Sequence, residues 1–229
     1  MPRGSVPRTS AQVAVPRPLL RGQSHALAAV GAVAGLVLLL QVDDLATPPR
    51  VSLLIYGLGA VLLFAVSALY HLGPWPPRVR ALLRRCDHAL IAVMLAAGYT
   101  PLAVTLPNGT WRAGLLGGVW AVTLGGVAVV VFLPLSRVAR VTLYSTLAAI
   151  ALLASGPPLV RLGLTGLRLP ALAGVLCLGG TLAYTRRWPT PWPRVFGYHE
   201  LFHLAVIAAH VVFFLFVVRD IVPLLRPQV

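Results

Sequence analysis

Seven apolar runs, most of them long enough to cross a bilayer, constrain this chain more than anything else in it. An α-helix rises 1.5 Å per residue, so roughly 20 apolar residues traverse the ~30 Å hydrocarbon core. The runs cover His25–Val42, Val51–His71, Asp87–Leu106, Arg112–Leu133, Val141–Leu153, Leu169–Tyr184 and His199–Val218. They predict an all-α integral membrane bundle of seven transmembrane helices. Composition agrees, because 58% hydrophobic and 10% charged residues lie far from the soluble average.

Residues 1–23 are rich in Pro, Ser and Arg and hold no acidic residue or apolar period. They read as a flexible basic cytosolic tail, and residues 24–229 as the membrane domain. The first run is long enough to span, so it reads as a helix and not as the short core of a secretory signal. All 19 basic residues are arginine, and the net charge of +14 raises the question of nucleic acid. The arginines sit in short gaps between apolar runs, without a stripe of interleaved aromatics, so no nucleic-acid partner is expected.

Membrane topology accounts for them instead. Thirteen of the nineteen fall in the tail and in the loops after the second, fourth and sixth runs. By the positive-inside rule the amino terminus is cytosolic and the carboxyl terminus external, with the inner membrane of a bacterium as the expected location. Gly73–Arg85 joins Pro74, Pro76 and Pro77 to four arginines and reads as a basic, helix-breaking connection. Gly117-Gly118 and Gly125-Gly126 suit close helix approach in lipid. Cys86 and Cys177 are far apart and lack metal-type spacing, so they imply no disulfide framework.

The polar residues near the run ends converge. His199 and His203 are four apart on one helix face, the spacing that offers two imidazoles to one metal ion. The second run ends at His71 and the third leaves the same membrane face with Asp87, so the topology brings four candidate ligands to one depth. Ionisable residues inside a bilayer are expensive and tend to face a cavity or a partner. Asp87 is one of only five acidic residues.

Three neutral imidazoles with an open position make a typical catalytic zinc arrangement, in which the pKa of the attacking water falls to about 7. Asp87 is placed to orient that water or take its proton. Ser67, one turn before His71, can bond a substrate carbonyl or the water, or back-bond to its own helix; the residues leave both open. Each histidine alone reads as an interfacial side chain, and only the set points to metal. His210 shares the stripe but lies ~10 Å beyond His203 at 1.5 Å per residue, which suits cavity lining. His88 reads as packing.

His199-Glu200-Leu201-Phe202-His203 is also an H-E-x-x-H string, the zincin protease signature with Glu200 as base. Downstream of His203 the only acidic residue is Asp220, ~25 Å along the same helix, so a zincin ligand set is not completed there.

A second resemblance is wider. Ser67-Ala-Leu-Tyr70-His71, Arg84-Arg85-Cys86-Asp87-His88, Ala97-Gly98-Tyr99-Thr100-Pro101 and His199-x3-His203 resemble, in order, the motifs of the haemolysin III proteins, which group with the progestin and adiponectin receptors. The resemblance implies seven helices, a cytosolic amino terminus and a zinc ion near the cytosolic side, bound by the histidines matching His71, His199 and His203. It implies an aspartate, matching Asp87, that holds the water at the metal, and a serine matching Ser67. Cys86 and Gly98 depart from the more usual leucine and hydroxyl residue, which concerns local packing. Relatives are linked to ceramidase-like hydrolysis of lipid amides, and others are described as haemolytic or as receptors. Membrane lipids, including a lipid amide substrate, are therefore the expected partners, with a receptor or lytic protein holding structural zinc as the alternative.

Overall fold

A computed structural model describes residue 18 and residues 20–227. Most of the segment read as a flexible basic tail, residues 1–17 and 19, lies outside the described residues. Helices α1 (Gln23–Leu40), α2 (Thr47–Leu72), α3 (Pro77–Val104), α4 (Thr110–Phe132) and α5 (Arg137–Ala154) follow one another through short connections. A short α6 (Gly156–Gly166) leads into α7 (Arg168–Arg186), and α8 (Tyr198–Phe216) continues through a π-helical stretch, Val217–Ile221, into α9 (Val222–Leu225). Among the described residues there is no strand, only an isolated bridge between Trp192 and Phe196.

Six of these helices are long and apolar enough to cross a membrane, with Tyr198–Leu225 counting as one span. The 19 residues of α7, flanked by arginines at both ends, are long enough to add a seventh. The result is the all-α membrane bundle the apolar runs predict. Its central helices are α2 and α3, each 56% buried over its most apolar window, whereas α1 and α5 bury only 11% and turn side chains such as Leu27, Val30 and Leu153 outward.

Three boundaries differ from the sequence reading. Pro77–Arg85 is not a connection: α3 begins at Pro77, ten residues before the predicted start, and the loop shrinks to four residues. Proline at the first helical position forfeits no hydrogen bond and has its φ already set, so Pro76-Pro77 starts this helix where a break was read. The segment after α5 is helical too, and Gly163, at φ +63°, supplies the kink within α6. The last span runs to Leu225, well past Val218.

Because lipid removes the hydrophobic drive between helices, close approach at small residues holds the bundle. A Cβ added at Gly57 would lie 2.6 Å from Leu36, fixing α1 on α2, and one at Gly180 would lie 2.5 Å from Ala205, fixing α7 on α8. Of the predicted glycine pairs only Gly126 works this way, 2.8 Å from Leu147; Gly117, Gly118 and Gly125 face open space. The largest buried cluster, with Leu53, Tyr56, Leu102, Phe216 and Ile221, sits at the end of the bundle opposite the arginine-rich loops. That leaves polar side chains to gather at the arginine-rich end.

Candidate metal centre

His71 is the penultimate residue of α2, and His199 and His203 occupy the first two turns of α8. One potential ligand atom from each lies within 4.8 Å of the others. His199 Nε2 is 3.4 Å from His71 Nε2, and the ring centroids stand 4.5 Å (His199–His203), 5.0 Å (His71–His199) and 5.0 Å (His71–His203) apart. His203 is buried, and its Nδ1 has no hydrogen-bond partner in the protein. These three residues can hold a metal ion, as neutral imidazoles converging on one point do.

The first turn of α8 aims them. Gly197 caps the helix, and its N–H donates to Glu200 Oε2 at 2.9 Å, the backward half of a capping box. The other Glu200 oxygen accepts from Arg21 Nε at 2.8 Å. With the start of the helix fixed from both sides, His199 and His203 project toward α2 on the same face.

Asp87 stands in the third turn of α3 and lines a cleft of about 240 Å³ together with His71 and His199. Its carboxylate shares a side-chain hydrogen bond with Ser67, which is buried on α2 one turn before His71. Ser67 thus turns toward α3. Asp87 falls outside the trio of mutually close ligand atoms but shares a cleft with two of them, His71 and His199. Tertiary packing therefore brings all five sequence-predicted side chains, His71, His199, His203, Asp87 and Ser67, to one end of the bundle.

The family model described as haemolysin-III related matches residues 13–214. The chain belongs to that family. Among its relatives, the Hemolysin-3 homolog of Bacillus subtilis (strain 168) is 28% identical over 165 residues, covering 72% of this chain and 74% of its own length. Hemolysin-3 of Bacillus cereus is 25% identical over 174 residues, covering 76% of each. The matched region takes in every residue of the site.

Two neighbours of the trio in this haemolysin-III related protein are absent from the sequence reading. His25 of α1 is buried and stacks on His203, and its edge meets Phe64 at 5.3 Å. Arg21 clamps Glu200, although it belongs to the segment read as a flexible tail, and Leu20 N–H donates to the Val195 carbonyl at 3.2 Å. A signal for His25 was present: it opens an apolar run at the same membrane depth as His71 and His199, and the depth argument applied to it equally.

The remaining histidines do not join the trio. His210 lines an apolar groove of about 160 Å³ between α1, α2 and α8, with its ring 5.2 Å from Phe64 and 5.6 Å from Tyr56. Phe64 touches both His25 and His210, so the groove adjoins the histidine cluster. His88 faces the cleft, and its carbonyl accepts from Tyr144 Oη at 2.8 Å.

Proposed function

We propose that this protein is a zinc-dependent membrane hydrolase of an amide-linked lipid. The observation that carries the reading is the His71, His199 and His203 cluster beside Asp87 and Ser67 at one end of a membrane bundle. The donor set fits zinc. At Zn–N distances of ~2.0–2.1 Å two tetrahedral ligands stand about 3.4 Å apart, and His71 Nε2 and His199 Nε2 are separated by 3.4 Å. The buried, unpartnered Nδ1 of His203 belongs to the same trio.

Zinc bound there would polarise the amide carbonyl and lower the pKa of water toward about 7. The chain's own residues supply the rest. Asp87, in reach of the cleft, orients the attacking water, accepts its proton and returns it to the leaving amine. Ser67 holds the Asp87 carboxylate in place. The lipid comes from the leaflet at the arginine-rich end, which on the positive-inside rule faces the cytosol. An amide as the bond cleaved rests on the motif resemblance read from the sequence, in Ser67 to His71, Arg84 to His88 and His199 to His203.

A second reading is a lytic or sensing membrane protein in which zinc only fastens α2 to α8; the lytic form is favoured by the relatives' names. The protease reading is weakened, because both Glu200 oxygens are engaged, one by Arg21 and one by Gly197. Metal analysis of purified protein tests the site, with stoichiometric zinc expected in wild type and lost in His71→Ala and His203→Ala. Wild type without zinc would refute it. Zinc without turnover of any lipid amide favours the lytic or sensing reading.

A further inference from the structure

We infer that the cleft over the histidines binds the phosphate of an anionic lipid headgroup, so that the lipid amide carries a phosphate; this rests on the hydrolase reading above. Arg80 and Arg84 from α3 and Arg137 and Arg140 from α5 line the cleft, joined by Tyr184 and Tyr198. Two of the trio, His71 and His199, line it as well.

Its charge is unbalanced. Asp87 is its only carboxylate, since Glu200 is committed to Arg21, and none of the four arginines has a carboxylate partner among the described residues. Neutral groups orient the guanidiniums instead. Arg137 donates to the Tyr184 carbonyl at 2.7 Å and lies 4.4 Å from the Tyr184 ring centroid. Arg140 donates to the Leu135 carbonyl at 2.8 Å, and Arg80 lies 5.8 Å from the Tyr70 ring centroid. Each planar fork keeps N–H donors to spare, and guanidinium forks match phosphate oxygens in pairs.

The positive-inside rule explains why arginines occupy this end, but not why five line one cleft beside the histidines, four of them besides the Arg21 paired with Glu200. On the same helix Arg78 and Arg85 are exposed and line no part of it. The cleft lies at the arginine-rich ends of α2, α3, α5, α7 and α8, and by the positive-inside rule such ends stand at the membrane surface, where headgroup phosphates lie.

The test uses full-length protein in detergent, titrated by calorimetry with dihexanoyl phosphatidic acid, dihexanoyl phosphatidylcholine and inorganic phosphate, and assayed for zinc in the same sample. Phosphatidic acid should bind at least tenfold more tightly than either other probe. Arg80→Gln/Arg140→Gln should weaken it about tenfold or more, the loss of one charge-assisted contact or more. Arg78→Gln/Arg85→Gln removes the same charge from the same end and should leave affinity unchanged. If the first pair fails to fold, the exposed Arg84→Gln replaces it, with a threefold or greater loss expected.

Equal losses in both pairs would overturn the inference in favour of a general surface field. Inorganic phosphate binding as tightly as phosphatidic acid would overturn the lipid source, and phosphatidylcholine doing so would overturn charge selection. Selective binding in zinc-free protein would keep the headgroup site while refuting the hydrolase reading, whereas unselective binding in zinc-loaded protein refutes the headgroup site alone.

Discussion

The imidazole of His25 lies flat on that of His203, with centroids 3.8 Å apart and planes 10° from parallel. One metal-type histidine is thereby braced by a side chain from a different helix. Groups that orient a ligand from behind typically change metal affinity ten- to hundredfold. His25→Ala should keep its helical circular dichroism and lose about tenfold in zinc affinity, the low end of that range. His25→Phe, which keeps the flat contact, should recover most of it. Competition with a zinc chelator reads both, and wild-type affinity in the alanine variant would show that the stack positions nothing.

Gly22 caps α1 at φ +90°, and a Cβ there would lie 2.7 Å from the His71 Cβ. Gly22→Ala should therefore strain the backbone by about 1–3 kcal/mol and push His71 away from its partners. Lower thermal stability together with weaker zinc binding is expected. Lower stability with unchanged zinc affinity would mean that α1 yields and His71 does not.

Glu200 is 2% exposed and Arg21 26%, so this ion pair is largely shielded. Glu200→Ala strands the guanidinium and the Gly197 N–H and should cost about 3 kcal/mol, the low end for breaking a buried pair. Glu200→Gln still accepts from Gly197 and should cost less, with zinc retained and lipid turnover preserved. Abolished turnover in Glu200→Gln, with Asp87→Asn active, would reinstate the H-E-x-x-H reading.

Asp87→Asn preserves shape but not basicity. Zinc should remain stoichiometric while turnover of the lipid amide falls about 10²- to 10⁴-fold, the usual worth of a positioned base. Ser67→Ala should produce a smaller loss of about tenfold, matching one hydrogen bond near 1.4 kcal/mol. Steady-state kinetics on zinc-verified protein decide both. Undiminished turnover in Asp87→Asn would remove Asp87 from the mechanism.

The sequence by itself determined the membrane class and the helical bundle, because hydropathy length and arginine placement are local properties read directly along the chain, and it pointed to His71, His199, His203, Asp87 and Ser67 through the four-residue histidine spacing and the order of the spans. Helix ends were less legible: prolines at 76 and 77 signal either a break or a start, and here Pro77 takes the first helical position of α3. Tertiary structure alone decided the surroundings of the site. That His25 backs His203, that Arg21 occupies Glu200, and that the α3 arginines Arg80 and Arg84 share one cleft with the α5 arginines Arg137 and Arg140 depend on bringing together residues 53 to 179 positions apart, set by how helices pack rather than by any local pattern. The fate of Glu200 shows the difference most clearly, since the same five letters that spell a protease motif fold into a helix cap locked by a residue from the far end of the chain.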